Sequence, residues 1–399
     1  MTKRKIKLFL ILILLISLGL RLNHLNYPNS YVFDEVYHAF TAKEYLKGSQ
    51  DAWAWWGTPP TGVAYEWTHP PLSKEIMASS MFILNTQDAW AWRLPGVLLG
   101  VLAIFMVFKI AQLLFKNDKV ALTSAFIFSL DGLNFVQSRT GMNDIYLVFF
   151  SLTSLLFFLK KRFLISAIFF GLAFASKWSA AYLLLLYLPL LFKDRLLKKS
   201  AFFLVIPITV YLLTYIPFFL IGHNFDQFIE LQKQMWWYHT SLKATHNYSS
   251  PWWSWPLNLV PVWYFVEYRS NQVANIFASG NSVLFILGSA AIFISILEYF
   301  KQKSYSLLIV ILGFLIFWLP WALSPRIMFL YHFSPSVPFL SIGLSYQIST
   351  LIKNKVVFIS ILSAISIGFI LIYPILVGTF LPKDLLSFFF LTNVAKNPF

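Results

Sequence analysis

Hydropathy along the chain rises and falls in blocks about as long as a bilayer is thick. Apolar runs lie near 7–22, 94–115, 119–136, 144–160, 163–176, 178–193, 200–221, 281–299, 305–323, 327–348 and 356–378. A helix crossing the hydrocarbon needs about 17–25 such residues, so the pattern predicts about eleven membrane-spanning helices, some short or interrupted. The first run follows Met1-Thr2-Lys3-Arg4-Lys5, as the core of a signal peptide would. It ends at Arg21-Leu22-Asn23-His24 without a small-residue cleavage site and reads as a retained span.

Between the runs the chain alternates in character. Two long polar segments, 23–93 and 222–280, hold most of the Trp, His and acidic residues, whereas the connections on the other side are short and basic. Within the first long segment, Ile76 to Leu84 is apolar but too short to span. Pro70-Pro71 precede it, which predicts a helix lying at the interface. There is no repeat, low-complexity tract or flexible linker. Residues 1–399 therefore read as one integral domain, all-α and polytopic, with 23–93 and 222–280 as its two outer loops.

Composition agrees. With 58% hydrophobic, 19% aromatic and 12% charged residues, the chain is too apolar for a soluble protein of its length and too apolar for disorder. Cysteine is absent, which excludes a disulfide scaffold and leaves the redox compartment open. The net charge of +15 would suggest nucleic acid in a soluble protein. With the N-terminus inside, however, the inner loops carry 17 Lys and Arg against Asp118, Asp194 and Glu298, a net of +14, and the outer segments are almost balanced. The charge is a positive-inside topology signal, and no nucleic acid partner is needed. The same rule divides 163–193 into two spans at Ser176-Lys177-Trp178, because a single span would put Lys193–Lys199 outside.

Four outer clusters can carry chemistry. Asp34-Glu35, with His38, follows the first span and reads either as a base with its partner or as an acidic pair capping a helix start. His69-Pro70-Pro71-Leu72-Ser73-Lys74 holds His69 and Lys74 on a proline-fixed backbone, suited to gripping a phosphate and equally to starting a helix. Arg139, with Asp144 after it, Lys177 and Arg326 sit at outer ends of spans, where snorkelling explains any one of the cations but topology gives no reason for them. A lipid phosphate would supply one. The fourth cluster runs from Trp236 to His239 and from His246 to Leu257. It reads as an interfacial aromatic belt or as a surface for sugar or extended peptide, in which His246, Trp253 and Trp255 are contact candidates.

Taken together, six segments resemble the motif series of the protein O-mannosyltransferases, in that family's order and over nearly the whole chain. They are Phe33–His38, His69–Lys74, Ser138-Arg139 with Asp144, Ser176–Ser179, Ser250–Leu257 and Arg326–Pro335, the last containing His332. The resemblance implies a membrane glycosyltransferase of the C-type fold (GT-C). Its donor would be a polyprenyl- or dolichyl-phosphate-linked mannose, and its acceptor the Ser or Thr hydroxyl of a secreted or membrane protein. By the same resemblance Asp34 is the catalytic carboxylate with Glu35 beside it. The resemblance would put His69, Lys74, Arg139 and Asp144 near the donor; on the chain's own pattern, Arg139, Lys74, Lys177 and Arg326 are the expected pool of phosphate-binding cations, and His38, His246, Trp253, Trp255 and His332 are the expected sugar or acceptor contacts. Eukaryotic members carry a large lumenal insertion in the later outer loop, for which about 60 residues leave no room, so the chain resembles the prokaryotic branch.

The chemistry is simple in outline. Phosphate is a good leaving group, so one carboxylate suffices for direct displacement with inversion, whereas a retaining route wants two carboxylates about 5 Å apart across the bond. No cofactor is required. A carboxylate and His69 share one loop, but no recognised ligand spacing supports a divalent metal and none is expected. Two other readings stand beside this one. One is a C-type transferase using the same donor on a lipid or cell-wall glycan. The other is a transporter, against which the absence of an internal repeat and of midplane polar residues weighs.

Overall fold

The computed structural model describes residues 2–193 and 195–388, so Asp194, counted above among the inner-loop charges, lies outside the described residues. The chain is a helical bundle in which each expected apolar run is helical for most of its length. In chain order the helices are α1 (Lys3–Leu22), α2 (Glu35–Leu46), α3 (Leu72–Leu84), α4 (Ala89–Phe115), α5 (Asp118–Ser129), α6 (Gly132–Arg139), α7 (Asp144–Leu159), α8 (Phe163–Ser176), α9 (Leu184–Lys193), α10 (Ser200–Leu213), α11 (Ile216–Leu220) and α12 (Phe225–Ser241). Strands β1 (Val262–Arg269) and β2 (Gln272–Ala278) follow, then α13 (Ser282–Gln302), α14 (Tyr305–Ile316), α15 (Val337–Leu351), α16 (Lys355–Val377) and β3 (Phe380–Pro382).

Five helical segments among the described residues are long and apolar enough to span by themselves: 89–115, 200–220, 282–302, 305–323 and 355–377. A sixth span is broken. The run expected over 119–136 is α5 and α6 bent by 61°, because Asp131 restarts the helix by accepting from the Leu133 and Asn134 N–H groups. Runs 144–159, 163–176 and 178–193 are helical and apolar but shorter, and the run over 327–348 begins as a 3-10 turn, Leu330–Ser336, before α15. At the centre stands α7, nearly all of it buried, packed against α4 and α8. The segment Ile76–Leu84 lies in α3, which packs on α2 and α4 while Phe82 and Ile83 point outward at 77% exposure.

Hydropathy did not predict the sheet. β1, β2 and β3 form a three-stranded antiparallel unit in that order, with Val262 opposite Ala278 and Gln272 opposite both Arg269 and Pro382. β2 is buried along most of its length against α6 and α16, so the second long polar segment is a folded cap over one end of the bundle. That end holds a cavity of about 1020 Å³.

Candidate active site

The cavity is lined by six stretches that are far apart in sequence: 33–38, 64–69, 142–144, 177–182, 238–246 and 320–332. All six come from segments that charge placement assigns to the outer side. Its volume is at the upper end for small-molecule sites, which run to about 1,000 Å³.

Asp34 enters it from the start of α2. Its carboxylate makes no capping hydrogen bond to the helix, so the acidic pair does not cap that helix through Asp34. The preceding Phe33 has left-handed backbone (φ 46°), uncommon for an aromatic residue, and its ring stacks on Tyr264 at 4.3 Å. Burial pushes the Asp34 carboxyl up to about 7, with the neighbouring Glu66 charge adding to the rise and Lys177 opposing it. A carboxylate so placed changes protonation state near neutrality.

Glu35 goes elsewhere. Fully buried, it accepts hydrogen bonds from Arg93 Nε (2.8 Å) and Nη2 (2.7 Å), Trp92 Nε1 (3.0 Å), Gly141 N (2.8 Å) and Val32 N (3.0 Å). Arg93 in turn donates to the carbonyls of Leu25, Pro28 and Ser30. The carboxylate ties the first outer loop to α4 and to the turn before α7, and it does not line the cavity. Consecutive residues at a helix start project about 100° apart, which separates the two acids.

The cations also divide. Lys177, at the end of α8, forms a 2.8 Å ion pair with Asp144 at the start of α7, and both line the cavity. Arg326 lines it too, from the irregular segment before the 330–336 turn. Its Nη1 lies 2.6 Å from His239 Nδ1, and its guanidinium lies 4.6 Å from the centre of the Tyr238 ring. Lys74 is not in the wall. Its ammonium donates to the carbonyls of Glu66 (2.7 Å) and His69 (2.9 Å), fixing the loop that carries both, and burial lowers its pKa to about 8. Arg139, the last residue of α6, is likewise outside, buried with Nη2 donating to the Asn23 carbonyl at 2.7 Å and with Nε and Nη1 unpartnered.

Among the histidines, His38, His69, His246 and His332 line the cavity. The 252–257 turn separates its tryptophans. Trp255 is buried, donates to Ser250 Oγ at 2.9 Å and stacks behind His332 at 6.0 Å, whereas Trp253 is 56% exposed; neither reaches the cavity. Among the described residues no group of three or more His and acidic side chains is arranged to hold a metal ion.

Of the acidic and histidine side chains in the wall, two went unselected in the sequence, Glu66 and His239. Glu66 accepts from Thr68 Oγ1 (2.5 Å) and from the His69 N–H (2.9 Å), and lies 3.6 Å from His38 Nδ1. Burial favours its neutral form, but His38, Lys74 and these donors outweigh it and hold the carboxyl below its usual range. The only signal for Glu66 was its place three residues before His69, and His239 was one polar residue in an aromatic run. The cavity thus joins an unpaired carboxylate of raised pKa, a lysine paired with an aspartate and an arginine in one enclosure, a set suited to deprotonating a hydroxyl beside a bound anion.

Comparisons with known proteins identify the family and the fold. Residues 11–253 match the family described as dolichyl-phosphate-mannose-protein mannosyltransferase, and 224–389 match the C-terminal four TMM region of protein-O-mannosyltransferase. The polyprenol-phosphate-mannose--protein mannosyltransferase of Mycobacterium tuberculosis is 24% identical, over 90% of this chain and 85% of its own. That of Corynebacterium glutamicum is 23% identical, over 77% and 76%. In fold, the chain resembles the S. cerevisiae Pmt1-Pmt2 complex bound to the sugar donor, with a TM-score of 0.82 at 16% identity over 99% of this chain and 94% of that one. It also resembles ArnT from Cupriavidus metallidurans bound to undecaprenyl phosphate, with a TM-score of 0.65 at 14% identity over 92% and 76%.

Proposed function

The chain belongs to the dolichyl-phosphate-mannose-protein mannosyltransferase family, and from that premise we propose how its cavity moves mannose from a polyprenyl or dolichyl phosphate to the hydroxyl of Ser or Thr in a protein. Asp34 takes the proton of the hydroxyl as its oxygen forms a bond to the anomeric carbon. The bond from that carbon to the phosphate oxygen breaks on the opposite face, with inversion. The electron pair leaves with the phosphate, which departs as the lipid phosphate monoester.

The observation that carries this reading is the placement of Asp34, free of any capping bond, in the same cavity as Lys177 and Arg326. A departing phosphate gains negative charge, and cations fixed beforehand in a water-poor enclosure stabilise that gain without reorganising. Lys177 and Arg326 supply them, and Asp144 keeps Lys177 in place. The transfer needs no divalent metal on this account, because these cations meet the developing charge; activity that is lost in a chelator and restored by one particular cation would count against it.

The cavity faces the outer side of a multi-pass membrane protein whose N-terminus is cytoplasmic. The basic inner loops support that orientation. Because the sequence contains no cysteine, a single one placed at the exposed Thr245 on the cavity rim should react with a membrane-impermeant maleimide in intact cells; labelling only after lysis would reverse the topology.

The chemistry is tested by purified Asp34→Asn with polyprenyl-phosphate-mannose and a Ser/Thr peptide. General-base catalysis contributes about 10²–10⁴-fold, and the turnover rate should fall by that order. Normal transfer by this variant would overturn the assignment.

A further inference from the structure

Arg326 and Lys177 meet the cavity under different restraints. Lys177 is held by the carboxylate of Asp144, 2.8 Å away, so the tether also offsets part of its charge. Arg326 stands on backbone that belongs to no helix or strand, and a long side chain on such a segment has many rotamers to choose from. What restrains it is aromatic and neutral: the face of Tyr238 and the ring nitrogen of His239, both on α12.

The tautomer of His239 follows from its two partners. Nε2 lies 2.8 Å from the carbonyl oxygen of Thr68, which can only accept, so Nε2 carries the proton. Nδ1 then has its lone pair free and accepts from Arg326 Nη1 at 2.6 Å. The ring is fixed from the other faces by His69, stacked at 5.1 Å, and by Trp178 at 5.8 Å. Burial, and after it the adjacent Arg326 charge, push the His239 pKa down to about 4, which keeps the acceptor form. Arg326 Nε is buried and has no partner, so the guanidinium has donor capacity left over.

From this geometry we infer that His239 is a positioning residue, a neutral tether that aims Arg326 at the donor phosphate while leaving its full charge for that phosphate. The inference rests on the reading of the cavity given above. A carboxylate in the same place would hold the arginine equally well but would neutralise it and repel the phosphate. A protonated histidine would repel Arg326.

Two near-isosteric variants separate aiming from scaffolding. In His239→Asn the amide oxygen takes the place of Nδ1 and keeps the acceptor for Arg326 while losing the reach to Thr68. In His239→Gln the amide reaches the place of Nε2 and keeps the Thr68 contact while losing the one to Arg326. Initial rates over a series of polyprenyl-phosphate-mannose concentrations should show kcat/KM for donor falling by up to about 10² in Gln and by much less in Asn, at equal folded fraction by thermal melt. The reverse order would show that His239 serves only to dock α12 on the 66–69 loop, and would overturn the inference.

A cycle with Arg326→Ala adds a second readout. Once the arginine is gone, His239→Gln should cost nothing further in donor kcat/KM. Equal losses in the presence and absence of Arg326 would overturn the inference while leaving Arg326 its phosphate role. If Arg326→Ala itself left donor kcat/KM unchanged, the phosphate reading of that residue would fall, and the tether with it.

Discussion

Two adjacent acids lead into two very different regions. The Glu35 carboxylate is saturated: five hydrogen bonds reach it, and its partner Arg93 satisfies three further carbonyls. Around Asp34 the charges are enclosed but incompletely matched, with a carboxylate that caps nothing and an arginine whose Nε has no partner. Saturated buried charge holds structure in place, because losing one partner leaves the other uncompensated. Unsaturated buried charge has capacity left for substrate.

The largest effects should therefore fall on different observables. Glu35→Ala strands Arg93 in the interior, and breaking a buried pair costs about 3–5 kcal/mol, so the melting temperature should drop sharply in a detergent thermal assay. Asp34→Asn should abolish most turnover and leave the melt unchanged or raised. The sign follows from its raised pKa. Below about 4 the folded and unfolded states both hold the proton; as pH rises toward 7 the unfolded chain releases it first, so ionising Asp34 destabilises the fold. The asparagine variant escapes that loss, most fully above pH 7. A Glu35→Ala protein with a normal melt, or an Asp34→Asn protein that unfolds, would erase the distinction.

A middle-sized effect sharpens it. If the ionised form of Asp34 is the base, kcat/KM should rise with pH through about 7. After burial, the charge of Glu66 is the next cause of that high value, so Glu66→Gln should move the rising limb to lower pH. An unshifted limb would mean that the limb belongs to some other group.

The sequence made these regions legible to different degrees. Apolar run lengths located the bundle because bilayer thickness constrains every span in the same way. The break at Asp131 and the 3-10 start before α15 went unread because run length was counted across their local signals, Asp131-Gly132 and Ser334-Pro335-Ser336. β1 and β2 were missed because β2 is buried by α6 and α16, elements distant in sequence, and β1 is held by pairing with β2. In the site, the motif series brought Asp34, His69, Lys177 and Arg326 to attention, yet side-chain direction set their roles. Lys74 and Arg139 resemble the wall cations by type and position, but Lys74 donates to two carbonyls and Arg139, with Nε and Nη1 unpartnered, lies outside the cavity. Glu66 and His239 acquire meaning only through neighbours brought in by the fold.

The smallest expected effect tests where the reactive region stops. In a 3-10 turn with three residues per revolution, residues two apart point in different directions. Trp255 accordingly packs inward behind His332 while Trp253 stays 56% exposed. Trp253→Ala should shift the melt by no more than about 0.5 kcal/mol, as exposed substitutions do, and leave donor and peptide kinetics at wild-type values. A raised KM for peptide alone would extend the acceptor path beyond the cavity, along the outer face of the 252–257 turn. Exposed aromatic surface outside the cavity would then have to be counted with the reactive region.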